Sequence, residues 1–129
     1  MTPQTHLGLS HRLCGEPVSL SPGAATVRFT ATAEMGADAE GLVHGGFVFG
    51  LADHAAMLAV NHPHVVLGSA ETRFIAPVRV GDPVTATATR TLEKGRKHVL
   101  EVEARVGEEV VMTGTLTAFV LDQHVLTGR

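Results

Sequence analysis

Hydrophobic and polar residues alternate with a period of two along most of the chain. This period predicts β-strands, because successive side chains in a strand point to opposite faces of the sheet. One face of each segment is apolar and the other is rich in threonine or charge, which is typical of an antiparallel sheet with one buried side. The alternating segments are residues 23–33, 65–78, 84–92, 98–106 and 110–121.

Short polar segments between the later strands predict tight connections. Residues 93–96 and 107–109 are short enough for hairpin loops, and residues 80–83 read VGDP, which is a turn signal. We therefore expect the four strands after residue 64 to follow one another as a meander.

Residues 47–60, FVFGLADHAAMLAV, break the alternation and predict a helix. Their Ala, Leu and Met residues favour the α conformation, and His62-Pro63 ends it, because the residue before a proline is pushed out of the α region. Apolar residues lie on every side of this helix, so we expect it to be buried. The fold class is therefore α+β, with one buried helix and one antiparallel sheet, preceded by a short helical turn near residues 5–13.

The composition indicates one domain spanning residues 1–129 and excludes several partners. A chain of 129 residues with 44% hydrophobic residues can form a core, although small cores are often completed by self-association. The net charge of -3 and the scarcity of aromatic residues argue against nucleic acid binding. No apolar run reaches the roughly 20 residues that span a bilayer, and the N-terminal residues lack the features of a signal peptide. Together with the lone Cys14, this predicts a cytoplasmic protein without a membrane partner.

Asp53 is the one acidic residue within the predicted buried helix. Buried carboxylates are uncommon unless they are paired, so a structural aspartate that pairs with an arginine or caps a loop is one interpretation. The other is a general base or nucleophile that faces an apolar crevice. Composition alone leaves both open.

The stretch His44-Gly45-Gly46 precedes the apolar run and falls near the helix start. Free N–H groups in the first turn of a helix can hold a developing oxyanion, and glycines let a ligand approach the backbone. An ordinary junction between loop and helix is the structural alternative. Asp53 lies roughly 10–12 Å further along the same axis, at 1.5 Å per residue. One carbonyl could therefore meet both groups only if two copies of the chain share the site.

The spacing H-G-G-x-x-x-x-L-A-D over residues 44–53, followed by small residues and Asn61, resembles the hotdog-fold acyl-CoA thioesterases of the phenylacetate-pathway (PaaI-like) type. The resemblance covers about residues 23–121 and includes the later stretch RFIAPVRVGDPVTATAT. It implies a central helix wrapped by a five- to six-stranded antiparallel sheet. It also implies a homodimer or homotetramer with active sites between subunits.

The resemblance further implies roles for individual residues. Asp53 matches the aspartate that attacks the thioester carbonyl or activates a water, and Gly45 matches the glycine whose N–H polarises that carbonyl. His44 matches the motif histidine and would shape the site, beside the ligand-accessible Gly46. Ser69 and Thr72 fall where family members line the acyl pocket. The family's asparagine in the N-terminal helix is missing, and His6, Ser10 and His11 are candidates to replace it.

Basic residues offer candidates for the phosphates of coenzyme A, which is part of the expected substrate and not a cofactor. Arg96 and Lys97 lie in a predicted hairpin turn, and Arg73 and Arg79 lie near a predicted strand end. Guanidinium and ammonium groups bind phosphate well, although a solvated turn is the alternative. No metal site is expected, because His62 and His64 lack an acidic or cysteine partner at ligand spacing.

The sequence leaves two rival functions open. The first is a hotdog hydratase or dehydratase of enoyl or 3-hydroxyacyl thioesters, which would pair a histidine with an acid near a glycine-proline turn. The sequence does not contain that pattern. The second is a non-catalytic acyl-CoA binding module of the kind found in hotdog transcriptional regulators. About 40 residues precede His44, and we expect these to leave little room for a DNA-binding segment.

Overall fold

Six antiparallel strands form one sheet around a long helix in the computed structural model, which describes residues 1–129. The helices are α1 (His11–Cys14) and α2 (Gly45–Val60), with a 3-10 turn at Ala33–Met35. The strands are β1 (Glu16–Ser21), β2 (Ala24–Thr30), β3 (Val65–Phe74), β4 (Pro83–Lys94), β5 (Lys97–Val106) and β6 (Glu109–Val120). This confirms the predicted α+β class, with a central helix and a five- to six-stranded antiparallel sheet.

The strand order across the sheet is β1-β2-β4-β5-β6-β3. Strands β4, β5 and β6 form the expected meander, but β3 pairs with β6, so the predicted four-strand meander is wrong in its first strand. The reason lies in the connection after β3. Val43 N–H donates to the Val78 carbonyl at 2.9 Å, and Val80 N–H donates to the Gly41 carbonyl at 2.8 Å. The connection is therefore bound to the loop before α2 and does not fold back as a hairpin.

Strand β1 is absent from the predicted strands. Its sequence, EPVSLS, alternates weakly and contains Pro17, which cannot donate to a β-ladder. It forms one edge of the sheet, and its register with β2 shifts between Pro17 and Ser19. A proline and an irregular register are typical of edge strands, because they discourage further pairing.

The core lies between α2 and the sheet face that contacts it. This face carries the apolar positions of the alternating strands, and the residues that are fully or almost fully buried there are Ala25, Val27, Phe29, Val84, Ala86, Ala88, Leu100, Val102, Ala104, Met112, Leu116 and Ala118. Nine residues of α2 are buried as well. Only one side of the helix stays partly open, along Gly46, Gly50 and Asp53, which are spaced as neighbours on one face.

The N-terminal segment is held against α2 by two polar side chains of the helix region. His54 is buried, and its Nδ1 forms a 3.0 Å hydrogen bond with the Cys14 carbonyl. Asn61 follows the helix in the left-handed conformation, with φ of 52°. Its Oδ1 accepts from Gln4 N–H at 2.7 Å and its Nδ2 donates to the Thr2 carbonyl at 3.0 Å. Neither helix is both long enough and apolar enough to cross a membrane.

Candidate active site

Helix α2 begins at the glycine pair of the motif. Gly45 is its first residue, and His44 is the N-cap, with an extended backbone (φ -64°, ψ 129°) and no capping bond from its side chain. Because an α-helix leaves the N–H groups of its first turn unpaired, those of Gly45 and Gly46 are free to meet a ligand. The positive end of the helix dipole adds to their attraction for negative charge.

Glycine at position 45 allows a close approach between the helix start and β3. A Cβ built on Gly45 would lie 3.4 Å from the ring of Phe74, and one built on Gly46 would lie 3.1 Å from the ring of His44. The His44 ring therefore stands over the first turn of the helix, beside the free N–H groups. This position agrees with a residue that shapes the site.

An apolar cavity of about 280 Å³ opens beside Gly45. Its walls come from the loop before α2, the start of that helix, the end of β3 with the connection that follows it, and one residue of β6. The lining residues are Leu42, Val43, Gly45, Val48, Phe74, Ile75, Ala76, Pro77, Val78 and Val111. With eight hydrophobic residues among ten, this surface suits a hydrocarbon group and offers no charged side chain to a ligand.

Asp53 lies on the open side of α2, two turns into the helix. Its Oδ1 is buried and has no hydrogen-bond partner in the chain. Burial raises the pKa of Asp53 to about 6, because a carboxylate loses hydration among apolar neighbours. No arginine and no loop group pairs with this oxygen, so the interpretation of Asp53 as a paired structural residue has no support in the structure.

One chain does not bring Asp53 and Gly45 to the same point. They are eight residues apart on a regular helix, which corresponds to about 12 Å along the axis. Asp53 is also absent from the walls of the apolar cavity. The predicted separation of the two groups within one chain is therefore confirmed.

The three predicted residues on β3 are divided between the two faces of the sheet. Directly opposite residues of antiparallel strands share a face. Thr72 pairs with Gly114 in the row of Met112 and Leu116, so it lies on the face towards α2. Ser69 and Arg73 pair with Thr117 and Thr113, which places both on the outer face. Neither Ser69 nor Thr72 lines the cavity beside Gly45 within this chain.

The predicted phosphate-binding residues of the hairpin lie at the other end of the molecule. Arg96 follows the end of β4, forms an ion pair with the exposed Asp122, and lines a second cavity near the C-terminal end of α2. Lys97 is exposed and does not line that cavity. Neither residue contacts the helix start of its own chain.

Two residues that line the cavities, Phe74 and His98, are not among the candidates that the sequence identifies. Phe74 appears in the sequence as one more strand residue, yet it lies against Gly45 and remains 55% exposed at the mouth of the apolar cavity. His98 occupies a core position of β5 and is only 5% exposed. The position of Phe74 against Gly45 depends on the pairing of β3 with β6, and no local sequence signal encodes that pairing.

Comparisons with known proteins identify the family to which the chain belongs. A family model described as the thioesterase superfamily matches residues 40–113. A crystal structure of an uncharacterized protein from Pyrococcus horikoshii is 48% identical, with a TM-score of 0.96 over 98% of this chain and 97% of that one. A mutant of the phenylacetic acid degradation protein PaaI from Thermus thermophilus is 32% identical, with a TM-score of 0.78 over 84% and 95%. The resemblance stated from the motif is thereby confirmed.

Curated relatives are longer proteins with other names. A methylthioribose-1-phosphate isomerase from Aquifex aeolicus is 46% identical over 92% of this chain, but the match covers 26% of that protein. A transcription factor FapR from Caldanaerobacter subterraneus subsp. tengcongensis is 26% identical over 94% of this chain and 61% of that protein. The chain thus spans less than two thirds of each of these relatives.

Proposed function

The chain belongs to the thioesterase superfamily, and we propose that it hydrolyses an acyl-CoA thioester to the free acid and coenzyme A. The observation that carries this proposal is the carboxylate of Asp53, whose buried Oδ1 has no partner, on a helix that starts with two free glycine N–H groups. Thioester hydrolysis needs both a base or nucleophile and a donor for the oxyanion.

In the proposed reaction, Asp53 acts while ionised, which its raised pKa permits above about pH 6. As a general base it takes a proton from water as the water oxygen attacks the carbonyl carbon. The Gly45 N–H donates to the carbonyl oxygen as negative charge develops there. Collapse of the intermediate breaks the carbon–sulfur bond, and the thiolate of coenzyme A takes up a proton. As a nucleophile, Asp53 would instead attack the carbonyl carbon and displace the coenzyme A thiolate, which takes up a proton. Water then cleaves the resulting mixed anhydride to the free acid and the Asp53 carboxylate.

We further propose that each site combines Asp53 of one copy with Gly45 of another. The separation of about 12 Å along α2 prevents both from reaching one carbonyl in a single chain. The free edge of β3 offers a place for the second copy, because this strand is ten residues long and mostly exposed. The other edge, β1, is shorter and carries Pro17. A dimer, or a pair of dimers, then follows from the chemistry.

The apolar cavity beside Gly45 is the proposed place for the acyl group. Its position next to the proposed oxyanion donor and its hydrocarbon walls support this assignment. His44 and Gly46 would border the thioester, and Thr72 and Ser69 would reach it only through the second copy.

Arg73, Arg96 and Lys97 are the residues proposed to bind the phosphates of coenzyme A. No resident metal or cofactor is proposed, and the free Cys14 fits a proposed cytoplasmic location.

The test is turnover of a panel of acyl-CoA thioesters, with release of the free thiol as the readout. The wild-type protein should hydrolyse at least one member, and Asp53→Asn should reduce kcat at least about 100-fold, as loss of a general base does. Circular dichroism should show that the variant keeps its fold. Wild-type turnover by folded Asp53→Asn would remove Asp53 from the mechanism.

A second candidate function is binding of an acyl-CoA without turnover. The FapR transcription factors among the relatives favour it, because one of them aligns with 94% of this chain. Tight binding of acyl-CoA by the wild-type protein, with no thiol released from any member of the panel, would support this candidate against the hydrolase.

A further inference from the structure

A second cavity, of about 580 Å³, lies at the C-terminal end of α2. It is about 23 Å from Gly45 along the helix axis, which separates it from the helix start of its own chain. Only three of its eleven lining residues are hydrophobic. Its polar lining comes from the loop after α2, the β4–β5 hairpin and the segment after β6, and consists of His62, His64, Arg90, Glu93, Arg96, His98 and Asp122.

His98 is the most unusual of these residues. It occupies a core-facing position of β5, two residues before Leu100, and is only 5% exposed. Its Nδ1 is buried and has no hydrogen-bond partner in the chain. Leaving such an atom unpaired costs free energy. His98 is therefore a polar residue buried at some cost at the wall of a polar cavity.

The other donors are held in defined positions around it. His62 Nδ1 accepts the His64 backbone N–H at 3.0 Å, so the ring proton of His62 is on Nε2 and is available as a donor. The guanidinium of Arg90 packs over the turn at Gly23, where a Cβ would meet it at 3.4 Å, and only 25% of the side chain is exposed. Arg96 adds a second guanidinium at the rim of the cavity.

Two carboxylates pair with these arginines, but both are well exposed. Glu93 contacts Arg90 at 3.4 Å with 54% of its side chain exposed, and Asp122 contacts Arg96 with 80% exposed. Ion pairs this exposed contribute little stability, so either carboxylate can turn into solvent. A phosphate group would replace it with several acceptor oxygens that match the fork of a guanidinium.

We propose that this cavity binds a phosphate group between Arg90, Arg96 and His62, with the buried ring of His98 at its wall. A metal ion does not fit, because no three His, Cys, Asp or Glu side chains converge as ligands. The volume exceeds that of inorganic phosphate and suits a phosphorylated nucleoside or sugar. Such a group could come from a free phosphate compound or from the phosphoadenosine end of coenzyme A. Phosphate binding itself does not require thioester hydrolysis, whereas the coenzyme A source rests on the proposed function.

The experiment is calorimetric titration of the full chain with two probes, inorganic phosphate and adenosine 3′,5′-bisphosphate. Wild type should bind at least one probe saturably at millimolar concentrations or below. Arg96→Gln, on an exposed turn, should weaken binding at least about tenfold, as loss of a charge-assisted bond does, and Arg90→Gln should act in the same direction. Arg105→Gln is the control, because it removes the same charge from the outer face and should bind as wild type does.

The two sources are separated by inhibition. A bisphosphate that competes with acyl-CoA hydrolysis identifies the coenzyme A end, whereas binding without inhibition identifies a free phosphate compound, and either result supports the site. Absence of saturable binding by wild type, or wild-type affinity in both Arg90→Gln and Arg96→Gln, would overturn it. Because binding is measured without turnover, failure here is distinct from failure of the hydrolase proposal.

Discussion

At the scale of single residues, the environment proposed to make Asp53 reactive also lowers the stability of the folded protein. A carboxylate with a buried oxygen and no partner destabilises the fold when it is ionised. A raised pKa means that the folded state binds the proton more tightly than the unfolded state. Protonated Asp53 therefore adds to the free energy of unfolding. This contribution is present below pH 3.8 and is lost as the pH rises through about 6.

Asp53→Asn should therefore stabilise the protein at pH 8 while it removes turnover. The pKa change from 3.8 to about 6 corresponds to at most about 3 kcal/mol. Because the side chain is partly exposed and an amide also needs partners, we expect a gain of about 1–2 kcal/mol in the free energy of unfolding. Denaturant unfolding of both proteins at pH 8 and pH 4 measures the gain, which should nearly vanish at pH 4. A variant less stable than wild type at pH 8 would refute this explanation of the Asp53 environment.

The sequence identifies Asp53 and Gly45 as site candidates because their spacing and chemistry stand out locally. It does not reveal that Asp53 lacks a partner, since a partner can come from any distant element. It also does not assign β3 side chains to faces. The register of β3 against β6 shifts between Leu67 and Ser69, and such a shift changes which residues face α2.

At the scale of elements, the start of α2 carries the proposed oxyanion donor, and its end has a structural role. The N–H of Gly45 can be removed without breaking the helix, because proline is well tolerated at the first helical position. His44 already has the extended backbone that a following proline requires. A proline at position 45 therefore removes the N–H proposed as the oxyanion donor without breaking the helix that carries it.

Gly45→Pro should lower kcat about 100- to 1,000-fold, as loss of an oxyanion donor does. Gly45→Ala is the matched control, because it keeps the N–H and adds only a Cβ at 3.4 Å from Phe74. Steady-state kinetics on one acyl-CoA, with helix content checked by circular dichroism, measures the difference. Equal loss in both variants would indicate that crowding against Phe74, and not the N–H, is responsible.

The helix end depends on Asn61, which combines the left-handed conformation with two hydrogen bonds to the N-terminal segment. Asn61→Ala should lose the bonds and strain the backbone, for a total of about 1–3 kcal/mol in the free energy of unfolding. Asn61→Gly loses the bonds without the strain and should cost less. Thermal unfolding compares them, and equal stability of the two variants would show that the backbone conformation contributes nothing.

The alternating pattern predicts five of the six strands, because side-chain period is a local property. The place of β3 beside β6 is not local, since the bonds from Val43 and Val80 that redirect the connection depend on the loop before α2. The role of Asn61 is not evident from the sequence either, because its partners Gln4 and Thr2 lie 57 and 59 residues earlier in the chain.

At the scale of the whole molecule, the proposed reaction needs more than one copy of the chain. One copy contains the proposed oxyanion donor beside an apolar cavity and a carboxylate about 12 Å away along the same helix. The sequence predicts this separation from the helical rise alone. The sequence does not identify the surface proposed to join the copies, because that proposal depends on β3 being an open edge of the sheet.

Mixed dimers of two inactive variants test the shared site most directly. Asp53→Asn and Gly45→Pro, each with a different affinity tag, are co-expressed, and the dimers that carry both tags are isolated. One of the two sites then contains both changes, and the other contains an intact Asp53 from one chain and an intact Gly45 from its partner. We expect mixed dimers to hydrolyse acyl-CoA at half the wild-type rate per dimer, although each parent is inactive. Mixed dimers as inactive as their parents would contradict a site shared between two copies.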